Sequence, residues 1–274
     1  MKSFSLILIS FFIFGCEEST QINEKPHQLV VSAFLVAEEK IDSVFVTQLE
    51  DMLSFYDPNT AAVQNANVTI TLVDQTNSAG NITYTLTHDA SMPGRYYSPA
   101  IVQPMKKYLL SVEAPGFPRV TGSTSVPDTF SITNKNAFPD TITYNSNSPA
   151  EYIGWTASRN HAYYLCLITC LDANAGEIPN QFRSKDGPKP GNTSGIFKMR
   201  DSYFAELPWL LVNYYGRTQF SVEATDSNYF DYFKQQIVSN RSELHEIQYS
   251  LQGGLGVVSS SARAHGSPIV VIKP

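Results

Sequence analysis

The sequence predicts an all-β protein: two β-sandwich-like domains in tandem, with one short helix in the second. Three observations carry this expectation. Apolar and polar residues alternate in short runs that recur at intervals of about ten residues, the period-two pattern of half-buried strands. Most of the polarity comes from Asn, Ser and Thr, set among 15 Tyr and 16 Phe, a mixture that suits twisted sheets joined by long turns. The alternation breaks over residues 128–149, and a clear helical period occurs once, late in the chain.

The first segment is not read as part of either sandwich. Lys2 is the lone charge of the first fifteen residues, followed by an almost unbroken apolar run from Phe4 to Phe14 and closed by Gly15. A basic start, an apolar stretch of ~7 to 15 residues and a small residue at the cut describe a secretory signal. A membrane-spanning helix needs about 20 apolar residues, so this run is expected to be removed after Gly15 rather than to anchor the chain. The order Ile13, Phe14, Gly15, Cys16 resembles the bacterial lipobox, which implies a signal peptide over 1–15, a covalent lipid on Cys16 and a lipidated tether over 16–27. Each buried lipid methylene contributes about 0.8 kcal/mol of membrane affinity, so two or three acyl chains hold a protein stably. Glu17 and Glu18 resemble the acidic pair that follows the cysteine in Bacteroidota lipoproteins exported to the cell surface; an ordinary solvated acidic stretch is the other reading.

The first sandwich is expected over 28–127. Its strands are read from "LVVSAFLV" (29–36), "SVFVTQL" (43–49), "NVTITLV" (67–73), "NITYTLT" (81–87), "GRYYS" and "KYLLSVEA". Val68, Ile70 and Leu72 share one face, as do Ile82, Tyr84 and Leu86. Residues 66–117, with "ANVTITLVD", "PGRYYS" and "YLLSVEAPGF", resemble the prealbumin-like or carboxypeptidase-regulatory β-sandwich, a likeness that implies fold and not activity. A linker rich in Pro, Asn, Asp and Ser follows over 128–149.

The second β-rich domain is expected over 150–274. "YIGWTAS" and "AYYLCLITCL" read as a strand pair, and the stretch from Asp172 to Ser194 as a long loop. Tyr229, Phe230, Tyr232, Phe233 and Ile237 fall at helical spacing behind a possible Asp226 or Ser227 cap, which places a helix near 227–238. Strands resume in "EIQYSLQ", "LGVVSSSA" and "SPIVVIK". Three stretches of this half, "IGWTASRNHAYYLCL", "SVEATDSNYFDYFKQQ" and "IQYSLQGGLGVVSSSARA", resemble the Bacteroidota lipoproteins grouped as domain of unknown function 4249. The matching features are Tyr163 with Tyr164, Tyr229 to Phe233, and Gly253, Gly254 and Gly256 ahead of an apolar strand. Such membership implies an outer-membrane lipoprotein accessory to a TonB-dependent receptor, and it carries no catalytic signature.

Composition narrows the partners. Without residues 1–15 the chain keeps 18 basic side chains (19 less Lys2) against 25 acidic ones, a balance that argues against nucleic acid and against charge-driven adhesion to anionic lipid. Cys166 and Cys170 lie four apart on a strand, about 13 Å, beyond the roughly 7 Å a disulfide spans, and are read as buried thiols. "DANAGE" (172–177) starts like a calcium loop but has Glu177 where the sixth-place Gly belongs and Arg183 where the bidentate Glu belongs, so it is read as a turn. "GGLGVV" has Ser259 where a dinucleotide loop needs its last Gly, and is read as a β-bulge or close backbone approach. The five histidines have no ligand spacing, no G-x-S-x-G elbow occurs, and no metal or cofactor beyond the lipid on Cys16 is expected. "LPWLLVNYYGR" admits two readings for Trp209, Tyr214 and Tyr215: core or edge strand, or an aromatic patch that meets a partner. The functional expectation is therefore a non-catalytic, outer-membrane-anchored binding or accessory component, partnered with the membrane and an outer-membrane β-barrel receptor. A free-standing surface structural or adhesive lipoprotein, and a hydrolase with a site assembled from loops, are the alternatives.

Overall fold

A computed structural model describes residues 28–50, 55, 57–74, 76, 78–145, 151–179, 193–198, 201–207, 209–238 and 250–274. The expected signal peptide 1–15, the tether 16–27, the Gly15 cut and Cys16 lie outside the described residues. The all-β class is borne out: seventeen strands and two α-helices are described.

The alternating runs become strands wherever their apolar face finds a partner. β1 (Leu29–Val36) turns inward every second residue, Leu29, Val31, Ala33 and Leu35. β2 (Lys40–Gln48) does the same with Val44 and Val46. The four-residue α1 (Pro58–Ala61) follows β2; Asp57 caps it by accepting from the Asn59 N–H at 2.9 Å, and Pro opens its first turn. Five more strands follow: β3 (Asn67–Val73), β4 (Ile82–Thr85), β5 (Thr87–His88), β6 (Arg95–Ile101) and β7 (Lys107–Glu113). Of the face expected in the fourth run only Leu86 is buried; Ile82 is exposed, because β4 is the outer strand of its sheet. β8 (Val120–Ser125) completes this group. The five-stranded sheet runs β8–β7–β3–β4 with β15 (Leu251–Gln252) added at the β8 edge.

The later strands are β9 (Thr141–Thr143), β10 (Glu151–Gly154), β11 (Tyr163–Cys170), β12 (Thr193–Lys198), β13 (Phe204–Leu207), β14 (Gly216–Thr225), β16 (Leu255–Arg263) and β17 (Ile269–Lys273). α2 (Ser227–Val238) sits where the helical period placed it. The expected pairing of "YIGWTAS" with "AYYLCLITCL" does not form: β10 pairs with β13, while β11 takes β12 on one side and β14 on the other. The reason is burial. β11 turns Tyr164, Leu165, Cys166, Ile168 and Cys170 into the interior and needs a sheet neighbour on each edge, which the short β10 cannot supply.

The boundary at 128–149 is where the structure differs most from the sequence reading. A ten-stranded sheet runs β12–β11–β14–β16–β1–β2–β6–β5, so strands from both halves share it, and β17 and β9 extend it beside β14. β1 and β16 pair in parallel from Val30 with Leu255 to Val36 with Ser261. The stretch expected to be a linker contributes β9, which pairs in parallel with β17, and buries Phe130 and Ile132. One hydrophobic cluster, from Leu29 to Ile272, draws on both halves. Parallel pairing requires a long crossover, and here the crossover is most of the chain. The physical cause lies in β16, buried without a break from Gly256 to Ala262: a strand apolar or small on both faces must be covered on both. α2 covers one of them, with Tyr229 and Tyr232 meeting Phe34 edge-on at 5.9 and 6.2 Å and Phe230 stacked on Tyr163 at 3.6 Å. The glycine-rich run ahead of β16 makes the close approach expected of it. Gly256 adopts φ +113, and a Cβ there would collide with the Val31 carbonyl oxygen.

Candidate functional site

Four segments far apart in sequence meet where α2 begins. β14 ends at Thr225, and Asp226 turns the chain into α2: its Oδ1 accepts the Tyr229 N–H at 2.9 Å, and its own N–H donates to the Ser260 carbonyl at 3.0 Å. Its Oδ2 accepts from Thr124 Oγ1 at 2.5 Å. Thr124 Oγ1 lies 2.6 Å from Ser260 Oγ; since the one Thr124 hydroxyl proton goes to the carboxylate, Ser260 donates to Thr124. The chain of hydroxyls is deeply buried, Asp226 being 7% exposed, Thr124 3% and Ser260 1%. It ties the five-stranded sheet, through β8, to the ten-stranded sheet, through β16, and both to α2.

Burial pushes the Asp226 carboxyl up to about 6, with the Asp231 charge adding to the rise, while the Thr124 hydroxyl and the Tyr229 N–H hold it down. At neutral pH it is therefore ionised, and among the described residues no cation forms an ion pair with it. Beside it opens a cavity of about 370 Å³. One wall is β8 from Ser123 to Ser125 with Lys107 of β7 next to it; another is the turn Asn160–Ala162; the third is Asp226 to Asn228 at the start of α2. Hydrogen bonds and packing hold the walls in place. Asn228 donates to the carbonyls of Ser123 at 3.0 Å and Val258 at 2.8 Å. Asn160, at φ +60, donates to the Val126 carbonyl at 3.3 Å, and the buried His161 ring lies against Tyr164 at 4.3 Å. Left-handed backbone in a residue other than Gly is uncommon, though Asn tolerates it best.

The aromatic residues singled out in the sequence lie elsewhere. Trp209 and Tyr214 are buried, and Tyr215 packs half-buried against the core, with Tyr144 edge-on to Trp209 at 5.8 Å and to Tyr215 at 6.2 Å. Trp209 and Tyr214 are thus enclosed in the core, while Tyr215 keeps part of its surface exposed. Cys166 and Cys170 are buried free thiols, and burial pushes Cys166 up to about 12. In the "DANAGE" turn Asp172 accepts from the Arg217 backbone N–H at 2.8 Å and from its Nε at 2.7 Å. Among the described residues no three His, Cys, Asp or Glu side chains come together to hold a metal ion, and no helix is long and apolar enough to cross a membrane. Sequence reasoning reached Asp226 only as a helix cap and His161 only as an isolated histidine. The cavity had no sequence signal, because Thr124 is 102 residues from Asp226 and 136 from Ser260.

Comparisons with known proteins bear on the whole chain. A family described as "Domain of unknown function (DUF4249)" matches residues 17–267. Among curated proteins no sequence matches. Among solved structures, the FN1–FN3 domains of chicken CNTN1 are similar at 12% identity and a TM-score of 0.26, over 89% of this chain and 63% of that one. CBD12 from CALX1.2 is similar at 10% identity and a TM-score of 0.19, over 86% of this chain and 99% of that one.

Proposed function

We propose, from the premise that the chain belongs to the DUF4249 family, that it is a lipid-anchored outer-membrane binding component that serves a neighbouring TonB-dependent transporter. The observation that carries this reading is the order Lys2, apolar run, Gly15, Cys16, with acidic Glu17 and Glu18 behind the cysteine. Acylation of Cys16 holds the chain at the membrane, and the eleven residues from Glu17 to His27 reach at most ~40 Å when fully extended. The β-rich body is thereby kept close to any barrel embedded in the same membrane. No catalytic step is assigned. Asp226, the most perturbed carboxyl described, is held by hydrogen bonds to Thr124 and Tyr229 that suit a fixed binding wall.

The test is twofold. Cys16→Ser should move the protein from the membrane to the soluble fraction and abolish incorporation of labelled fatty acid. A tagged parent extracted in mild detergent should bring down a large β-barrel protein. A Cys16→Ser variant that stays as membrane-bound as the parent contradicts the anchor. Recovery of the anchored parent alone at every detergent strength favours a free-standing structural or adhesive lipoprotein.

A further inference from the structure

We propose that the cavity beside Asp226 binds a small zwitterion, a free amino acid or short peptide, whose ammonium group pairs with the Asp226 carboxylate and whose carboxylate pairs with the Lys107 ammonium. The first support is an uncompensated charge. Asp226 is 7% exposed; the Thr124 hydroxyl and backbone groups of Tyr229 and Ser260, at the start of α2, favour its charged form, but no side-chain cation pairs with it among the described residues. A buried ion without a side-chain counter-charge is costly, and Asp226 is one of the residues that line the cavity. The second is Lys107, a half-buried cation on the same cavity with no ion-pair partner among the described residues. The walls also offer neutral donors and acceptors, Ser123, Ser125, Asn160 and Ser227, suited to the peptide or side-chain atoms of a polar ligand. About 370 Å³ falls at the lower end of the ~300–1,000 Å³ range of small-molecule sites.

Simpler ligands fit less well. A lone amine satisfies Asp226 and adds a positive charge near Lys107; a lone carboxylate satisfies Lys107 and adds a negative charge near Asp226. A metal ion needs several oxygen or nitrogen ligands, and the cavity offers one carboxylate. A molecule bearing both charges is the class that neutralises both walls at once. The inference deepens the reading of the chain as a binding component and rests on that reading only for its setting at the membrane.

The experiment is calorimetric titration of the detergent-solubilised mature chain near pH 8. The probes are the free amino acids and alanine peptides of two and three residues, with methylamine and acetate as single-charge controls. The expected result is saturable binding of at least one zwitterion, tenfold or more tighter than either control. Asp226→Asn and Lys107→Met should each weaken it by about tenfold or more while leaving the melting transition cooperative. Preference for single amino acids or for peptides identifies the source. Methylamine binding as tightly as the best zwitterion, acetate doing so, no binding by any probe, or an unchanged affinity in folded Asp226→Asn each overturns the proposal. A chain that takes up fatty acid yet binds no zwitterion keeps the anchor and loses the cavity, and the reverse result does the opposite.

Discussion

Asp226 shows how far a single residue can be read before its surroundings are known. In the sequence it is a helix-capping aspartate, and it does cap α2. Its burial between Thr124 and Ser260 came from strands more than a hundred residues away in one direction and over thirty in the other, so no local pattern announced it. The consequence for stability has a definite sign. A folded-state value near 6, against 3.8 ordinarily, means that the native state binds the proton more tightly than the unfolded chain. The stabilisation this gives is complete below about pH 4 and is lost as pH rises to about 6, a difference on the order of 3 kcal/mol. Asp226→Asn keeps a cap acceptor and removes the charge. It should therefore raise stability by roughly 1–3 kcal/mol at pH 8 and leave it nearly unchanged at pH 4, measured by urea unfolding at the two pH values. A stability gain together with a loss of ligand binding is the pattern of a residue kept for function. Cys166 was legible in full. A thiol pushed up to about 12 by burial should resist maleimide in the native protein and react within the unfolding transition, as followed by mass spectrometry.

The elements divide by how much apolar contrast their sequences carry. β1 and β3 appear with the residue bounds read from "LVVSAFLV" and "NVTITLV": β1 is apolar over nearly its whole length, and β3 sets Val68, Ile70 and Leu72 against Asn67, Thr69 and Thr71. α2 was equally plain, its aromatic residues recurring at helical spacing. β8, "VTGSTS", was missed: Gly, Ser and Thr give no contrast, and the strand is fixed by pairing with β7 and by the Thr124 contact rather than by its own hydrophobicity. β9 was missed for a related reason, being three residues long and formed only against β17. The glycine-rich run leading into β16, read as a β-bulge or a close backbone approach, makes the close approach, with Gly256 against the Val31 carbonyl. Gly256→Ala meets both that oxygen and an unfavourable positive φ. It should cost more than about 2 kcal/mol in a urea titration, whereas Gly116→Ala, at φ +84 in open space, should cost less.

At the scale of the molecule, composition and periodicity fixed the all-β class and left the connectivity open. A break in alternation reads as a linker, yet long-range pairing crosses it, and nothing local to β1 or β16 states that the two lie side by side in parallel. The shared sheet makes a prediction. Residues 28–127 expressed alone would present the β1 edge and the apolar residues beneath it to water, and should give an aggregating or uncooperative fragment by circular dichroism and size exclusion. The mature chain should unfold in one transition. A fragment that melts cooperatively as a monomer would restore the tandem arrangement. The anchored role is also a property of the whole molecule, because it decides where the cavity and the sheets are displayed. Its most direct test is the intact mass of the protein purified from membranes. The account predicts a chain that has lost residues 1–15 and begins at Cys16, heavier than its polypeptide by the lipid on that cysteine. A chain that retains Met1, or one that begins at Cys16 with a free thiol and no added mass, would contradict it.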